Sequence, residues 1–139
     1  MQPAVGAWII VNRKILLVDD QEDILDALKR ILADYAVTAV CDGERALAII
    51  AADKPDIVIL DVSMPGMSGI EVLERIMLMG HKPVVLMVTG DDAIETAAKT
   101  LAIGAFAYIT KPFEARQIKD QVTKAITFLE QKEAKRNRP

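Results

Sequence analysis

The segment Ile57-Val-Ile-Leu-Asp-Val-Ser-Met-Pro-Gly-Met-Ser-Gly-Ile-Glu71 decides the fold. Ile57–Leu60 is apolar without interruption, the pattern of a strand covered on both faces in a parallel sheet. Asp61 follows at once, Pro65-Gly66 marks a turn, and Ser68 stands three residues before Glu71, the spacing of a capping box. Ile70, Leu73 and Ile76 then recur on one helical face. A strand, a carboxylate at its end and a helix make one βα unit.

The unit repeats outward in both directions. Short apolar runs occur at Ile15–Val18, Val37–Val40, Val84–Val88 and Phe106–Ile109. Between them, Ile24, Leu28, Ile31 and Leu32 share a helical face, and Ile118, Val122, Ala125 and Leu129 share another. Asp92 followed by Glu95 imitates the capping box, Gly104 suits a left-handed helix end, and Gly43 reads as a turn. Parallel strands need right-handed crossovers, so five such units predict one α/β domain with helices on both faces of the sheet. The expected architecture is a flavodoxin-like (βα)5 doubly wound parallel sheet in the order 2-1-3-4-5. Residues 14–129 would form this domain, with an N-terminal extension at 1–13 and a charged C-terminal tail or linker at 130–139.

Composition limits what such a domain can do. The chain has 139 residues, of which 52% are hydrophobic, 27% charged and only 4% aromatic, so the core must rest on aliphatic side chains. A net charge of −3 and a pI near 5.2 argue against direct nucleic acid binding. Cys41 is the single cysteine and His81 the single histidine, which excludes an internal disulfide and a zinc cluster and suits a cytoplasmic setting. The apolar run at Ala7–Val11 is far too short to span a membrane. For that run, with Trp8, two readings stand: packing on a sheet edge, or a disordered extension.

In open α/β sheets the ligand crevice lies beyond the carboxyl ends of the strands. The residues that follow the apolar runs are Asp19 and Asp20, Asp61, Thr89, and Thr110 with Lys111. Three carboxylates gathered there repel one another. At about 4 Å, with an effective dielectric of about 20, each pair costs about 4 kcal/mol. Lys111 supplies one compensating charge, and a hard divalent cation with oxygen ligands would supply the rest. Mg²⁺ fits, with Mn²⁺ as the alternative, since no imidazole or thiolate is at hand to prefer a softer metal. The chemistry indicated is phosphoryl transfer to a carboxylate.

Four motifs carry a resemblance: Lys14-Ile-Leu-Leu-Val-Asp-Asp20, Asp56-Ile-Val-Ile-Leu-Asp-Val-Ser-Met-Pro-Gly-Met-Ser-Gly69, Val88-Thr-Gly90 and Gly104-Ala-Phe-Ala-Tyr-Ile-Thr-Lys-Pro-Phe113. In this order the chain resembles the receiver domain of bacterial two-component response regulators over roughly residues 14–128. The resemblance implies that Asp61 is the phosphoacceptor, served by a sensor histidine kinase or a histidine phosphotransfer protein. It also implies that Asp20, Asp61 and the backbone carbonyl of Ser63 ligate Mg²⁺, with Asp19 acting through a bound water. Lys111 would pair with Asp61 at rest and with phosphoryl oxygens afterwards, and the Lys111-Pro112 peptide would be cis. Thr89 would donate its hydroxyl to the phosphoryl group while Tyr108 swings inward, changing the face of the fourth helix, fifth strand and fifth helix. That face would serve an output domain or a partner protein, with a homodimer as a further option. Ser63 and Asp91 would line the route of attacking water and set the phosphoryl lifetime. Ala107 stands where many DNA-binding subfamilies carry an acidic residue used in an activated dimer, so that dimer is not implied.

Such a domain is a switch that modifies and demodifies itself, not an enzyme with a diffusible substrate. A haloacid-dehalogenase-like phosphatase is the alternative, but it needs a second Asp two residues after the nucleophile, where Ser63 stands. A flavodoxin needs Ser and Thr to hold a phosphate after the first strand, where Asp19-Asp20-Gln21-Glu22-Asp23 would repel one. Simpler roles compete for single residues. Asp19 and Asp20 could cap a helix, Tyr108 could be an ordinary strand aromatic, and His81 an exposed loop residue. The Met64, Met67, Met77, Met79 and Met87 set reads as packing material.

Overall fold

The computed structural model describes residues 13–137. Five strands, β1 (Lys14–Val18), β2 (Ala36–Val40), β3 (Ile57–Leu60), β4 (Val84–Thr89) and β5 (Ala107–Thr110), form one sheet in the order β2-β1-β3-β4-β5. Every neighbouring pair is parallel, with Ile15 opposite Val37 and Ile57, and Thr89 opposite Thr110. Five helices alternate with the strands: α1 (Glu22–Ile31), α2 (Gly43–Asp53), α3 (Gly69–Ile76), α4 (Ile94–Ile103) and α5 (Ala115–Arg136). This is the expected fold class, with strand bounds within one residue of those read from the apolar runs.

Strand periodicity divides the core in two. Ile15, Leu17, Ile57, Ile59, Leu86 and Val88 point to one face, where Leu25, Leu28 and Leu32 from α1 and its exit meet Ile118, Val122 and Ile126 from α5. Leu16, Val18, Val58, Leu60, Val85 and Met87 point to the other, against Ala46 and Ile50 of α2 and Val72, Leu73 and Ile76 of α3. Both faces of the central strands are thus dry, which is why their sequences carry no polar alternation. Met64 and Met87 lie within the second cluster, and Met67, Met77 and Met79 pack at its margin, so the methionines are core filling.

Helix starts agree with the sequence in part. Ser68 accepts the Glu71 N–H at 3.2 Å and opens α3 as expected. Asp42 caps α2 through the Arg45 N–H, so Gly43, read as a turn, is the first helical residue. A side chain there would run into Val72, 2.6 Å from where its Cβ would lie. Asp92 is not the cap of α4. Ala93 takes that position without a side-chain bond, and the carboxylate that serves the helix start is Asp91. Gly104 ends α4 at φ 145°, against the Met77 thioether. Glu114 and Gln117 form a capping box at α5.

Helix and ion pairs also run across the margins of the domain. α5 continues unbroken to Arg136, into the segment read as a charged tail or linker. Arg13, assigned to the extension, is buried and bonds Glu133 through both terminal nitrogens, at 2.8 and 3.2 Å, and Asp56 at 3.3 Å. Ala7–Val11 and Trp8 lie outside the described residues, as do positions 138 and 139. Among the described residues, no helix is long and apolar enough to cross a membrane.

Candidate functional site

The sheet itself delivers the polar groups. Asp19 extends the β1 ladder by donating its N–H to the Val40 carbonyl, and Asp61 does the same from β3 to the Val18 carbonyl at 3.0 Å. Lys111 donates its N–H to the Thr89 carbonyl at 2.8 Å, which fixes the residue after β5 against the end of β4. Each side chain is therefore aimed by a backbone bond to the neighbouring strand. Gly69 completes the frame. Its N–H reaches the Val62 carbonyl at 2.8 Å, and a Cβ added there would lie 1.9 Å from the Asp61 carbonyl oxygen. Only glycine lets α3 start this close to the end of β3.

Lys111 Nζ lies at the centre of the acidic groups. It donates to Asp19 Oδ2 at 2.7 Å, to Asp61 Oδ2 at 3.1 Å and to Gln21 Oε1 at 2.9 Å. Asp61 Oδ1 accepts the Ser63 N–H at 3.2 Å, and Asp19 Oδ1 accepts the Gln21 N–H at 2.9 Å. Asp19 and Asp61 are buried, while Asp20 is exposed at the rim. One carboxylate oxygen from each of the three lies within 4.8 Å of the others. The Lys111-Pro112 peptide is cis.

One ammonium serves two buried carboxylates, and the electrostatics follow. Burial raises the Asp19 carboxyl above the usual range; the Lys111 and Gln21 hydrogen bonds oppose this without reversing it, and the Asp61 charge adds to it. Burial pulls the Lys111 ammonium down, but its bonds to Asp19 and Asp61 outweigh that and leave it raised. The cluster is short of positive charge. Its donors are oxygens only, with no imidazole or thiolate among them, so it fits a hard divalent cation such as Mg²⁺.

Asp20, Gln21, Asp61 and Lys111 line a cleft of about 450 Å³ that is also walled by Ser63, Thr89, Gly90 and Asp91. Thr89 is wholly buried, and its Oγ accepts the Asp91 N–H at 3.3 Å. The Asp91 carboxylate is engaged elsewhere: Oδ1 accepts the Ala93 N–H at 2.9 Å and Oδ2 accepts the Thr96 hydroxyl at 3.1 Å. Tyr108 donates its hydroxyl to the Asp91 carbonyl at 2.6 Å. His81 stands away from the cleft, with Nε2 2.8 Å from the Pro55 carbonyl. Two partners escaped the sequence reading, Gln21 as a third acceptor for Lys111 and Thr96 as the far contact of Asp91. Gln21 had one signal, its place directly after the acidic pair. Thr96 had none.

Comparison with known proteins points to one family. Residues 15–123 match the family described as response regulator receiver domain. The chain is 33% identical over 117 residues to sporulation initiation phosphotransferase F of Bacillus subtilis, covering 83% of this chain and 94% of that one. It is 39% identical over 114 residues to the alkaline phosphatase synthesis transcriptional regulatory protein PhoP of the same organism. That match covers 81% of this chain and 48% of PhoP, so the chain spans about half of that relative's length. Among solved structures, a CheY-like response regulator receiver domain protein from Methanospirillum hungatei superposes with a TM-score of 0.82 at 30% identity. It covers 87% of this chain and 98% of its own.

Proposed function

The chain belongs to the response regulator receiver domain family of bacterial two-component systems, and from that premise we propose that Asp61 is its phosphoacceptor. The observation that carries this reading is the sharing of Lys111 between Asp61 and Asp19, with Asp20 beside them and an open cleft in front. An oxygen of Asp61 forms a bond to phosphorus as the bond from phosphorus to the imidazole nitrogen of a kinase or phosphotransfer histidine breaks. The imidazole leaves with the electron pair.

Lys111 then exchanges one carboxylate for the new phosphoryl oxygens, and Thr89 turns its hydroxyl toward them. Asp19, Asp20 and Asp61, with the Ser63 backbone carbonyl, are the groups to hold Mg²⁺. When bound, the ion supplies charge neutralisation for the transferring phosphoryl oxygens. Ser63 and Asp91, at the cleft wall, set how readily water reaches the product. Thr89 and Lys111 meet phosphoryl oxygens only in the modified state, so they bias two arrangements of the domain by about 1–3 kcal/mol. The face of α4, β5 and α5 carries that bias to an output domain or partner.

The test is intact mass after incubation with Mg²⁺ and acetyl phosphate. The unaltered chain is expected to gain one base-labile phosphoryl group. Asp61→Asn, or removal of the metal by chelation, is expected to abolish the gain. A wild-type chain that stays unmodified while binding donor and Mg²⁺ would overturn the proposal.

A further inference from the structure

Asp91 is bonded on every side. Its N–H goes to the Thr89 hydroxyl, its carbonyl accepts from Tyr108, and its carboxylate holds the Ala93 N–H and the Thr96 hydroxyl. The last two bonds are unusual in what they replace. The cap position of α4 is Ala93, which has no side-chain oxygen to offer, so the first turn of the helix takes its acceptor from outside, two residues upstream. A negative group there is also favoured by the dipole of the helix.

The consequence is a short mechanical chain. Thr89 is fully buried at the end of β4, and only Gly90 separates it from Asp91. A hydroxyl both donates and accepts, so Thr89 can turn its hydrogen to an oxyanion in the cleft while keeping the Asp91 N–H. Asp91 then moves with Thr89, and its carboxylate takes the start of α4 along. We infer that Asp91 is a positioning residue that makes Thr89 and the first turn of α4 move as one unit. Its physiological trigger rests on the phosphoacceptor reading above; the coupling itself does not.

Amide NMR on the full chain separates the two. In the unaltered background, Thr89→Val removes the acceptor for the Asp91 N–H, and amide shifts are expected to change as far as residues 93–97. In an Asp91→Ala background the same substitution is expected to leave 93–97 unmoved, while Asp91→Asn, which keeps the Oδ1 acceptor, restores the response. Equal shifts at 93–97 with and without the carboxylate, or none in the unaltered background, overturn the inference. Should Asp91→Ala fail to fold, Thr96→Val cuts one arm of the contact and is expected to weaken the response; an undiminished response counts against it. A second arm adds beryllium fluoride with Mg²⁺. Binding is expected to shift both Thr89 and α4 in the wild type, and Thr89 alone in Asp91→Ala. If the unaltered chain fails to bind it, the phosphoacceptor reading fails while the first arm still decides the role of Asp91.

Discussion

Tyr108 gives its hydroxyl hydrogen to the peptide carbonyl of Asp91, so the ring is tied to the loop after β4. Burial, and then the charges of Asp91, Asp61 and Asp92, push this phenol up to about 12. The folded state prefers the neutral hydroxyl, so its contribution is complete below about pH 10 and lost as pH rises through about 12. Tyr108→Phe is expected to lower stability by about 1 kcal/mol in urea denaturation at neutral pH. The gap to the wild type should close in strongly alkaline buffer. A gap that persists there would locate the loss in packing rather than in the bond.

Asp19 predicts a gain. Its folded pKa is raised, chiefly by burial, so the stability associated with the group is present below its unfolded value and lost as pH rises through the folded one. At neutral pH the ionised carboxylate is therefore a burden. Asp19→Asn is expected to raise stability by about 0.5–2 kcal/mol, the range common when a functional site is relaxed. Affinity for Mg²⁺ is expected to fall in the same variant. Thermal melts and metal titration check the two effects side by side.

The sequence carried the sheet because burial on both faces writes itself as unbroken aliphatic runs, and it carried the polar edge because four of the five runs are followed by Asp, Thr or Lys side chains. Local bonding was less legible. Asp92 and Asp91 are the same residue type one position apart, and only the path of the loop decides which one reaches the Ala93 N–H. Gly43 looked like a turn because nothing in the chain announces that Val72 will approach it. Gln21 joins Lys111 across 90 positions of sequence, and Arg13 joins Glu133 across 120. Contacts of that separation leave no periodic trace.

The Arg13–Glu133 pair predicts an acid-sensitive brace. Glu133 is held below its ordinary range, first by its hydrogen bond from Arg13. Its contribution is thus present above the unfolded value of about 4.3 and is lost as pH falls through the folded one. Glu133 is partly exposed, which screens the effect, so Glu133→Gln is expected to cost no more than about 1 kcal/mol at pH 7. The difference should shrink below about pH 4. Denaturation of both proteins at the two pH values measures it.

Gly69 predicts a coupled loss of fold and site. A methyl group there must displace the main chain at Asp61, so Gly69→Ala is expected to cost at least about 2 kcal/mol. Any folded fraction should show a weakened Mg²⁺ response, because the displaced carbonyl belongs to Asp61 itself. A variant of native stability and native metal affinity would mean that α3 can slide aside freely.

The last helix, 22 residues and about 33 Å long, is gripped near its far end by a guanidinium rooted beside β1. To swing away from the sheet, that end of the rod must first give up this ion pair. Acid that protonates Glu133 therefore loosens the tip of the rod while its buried stretch, Ile118 to Ile126, stays seated on the sheet.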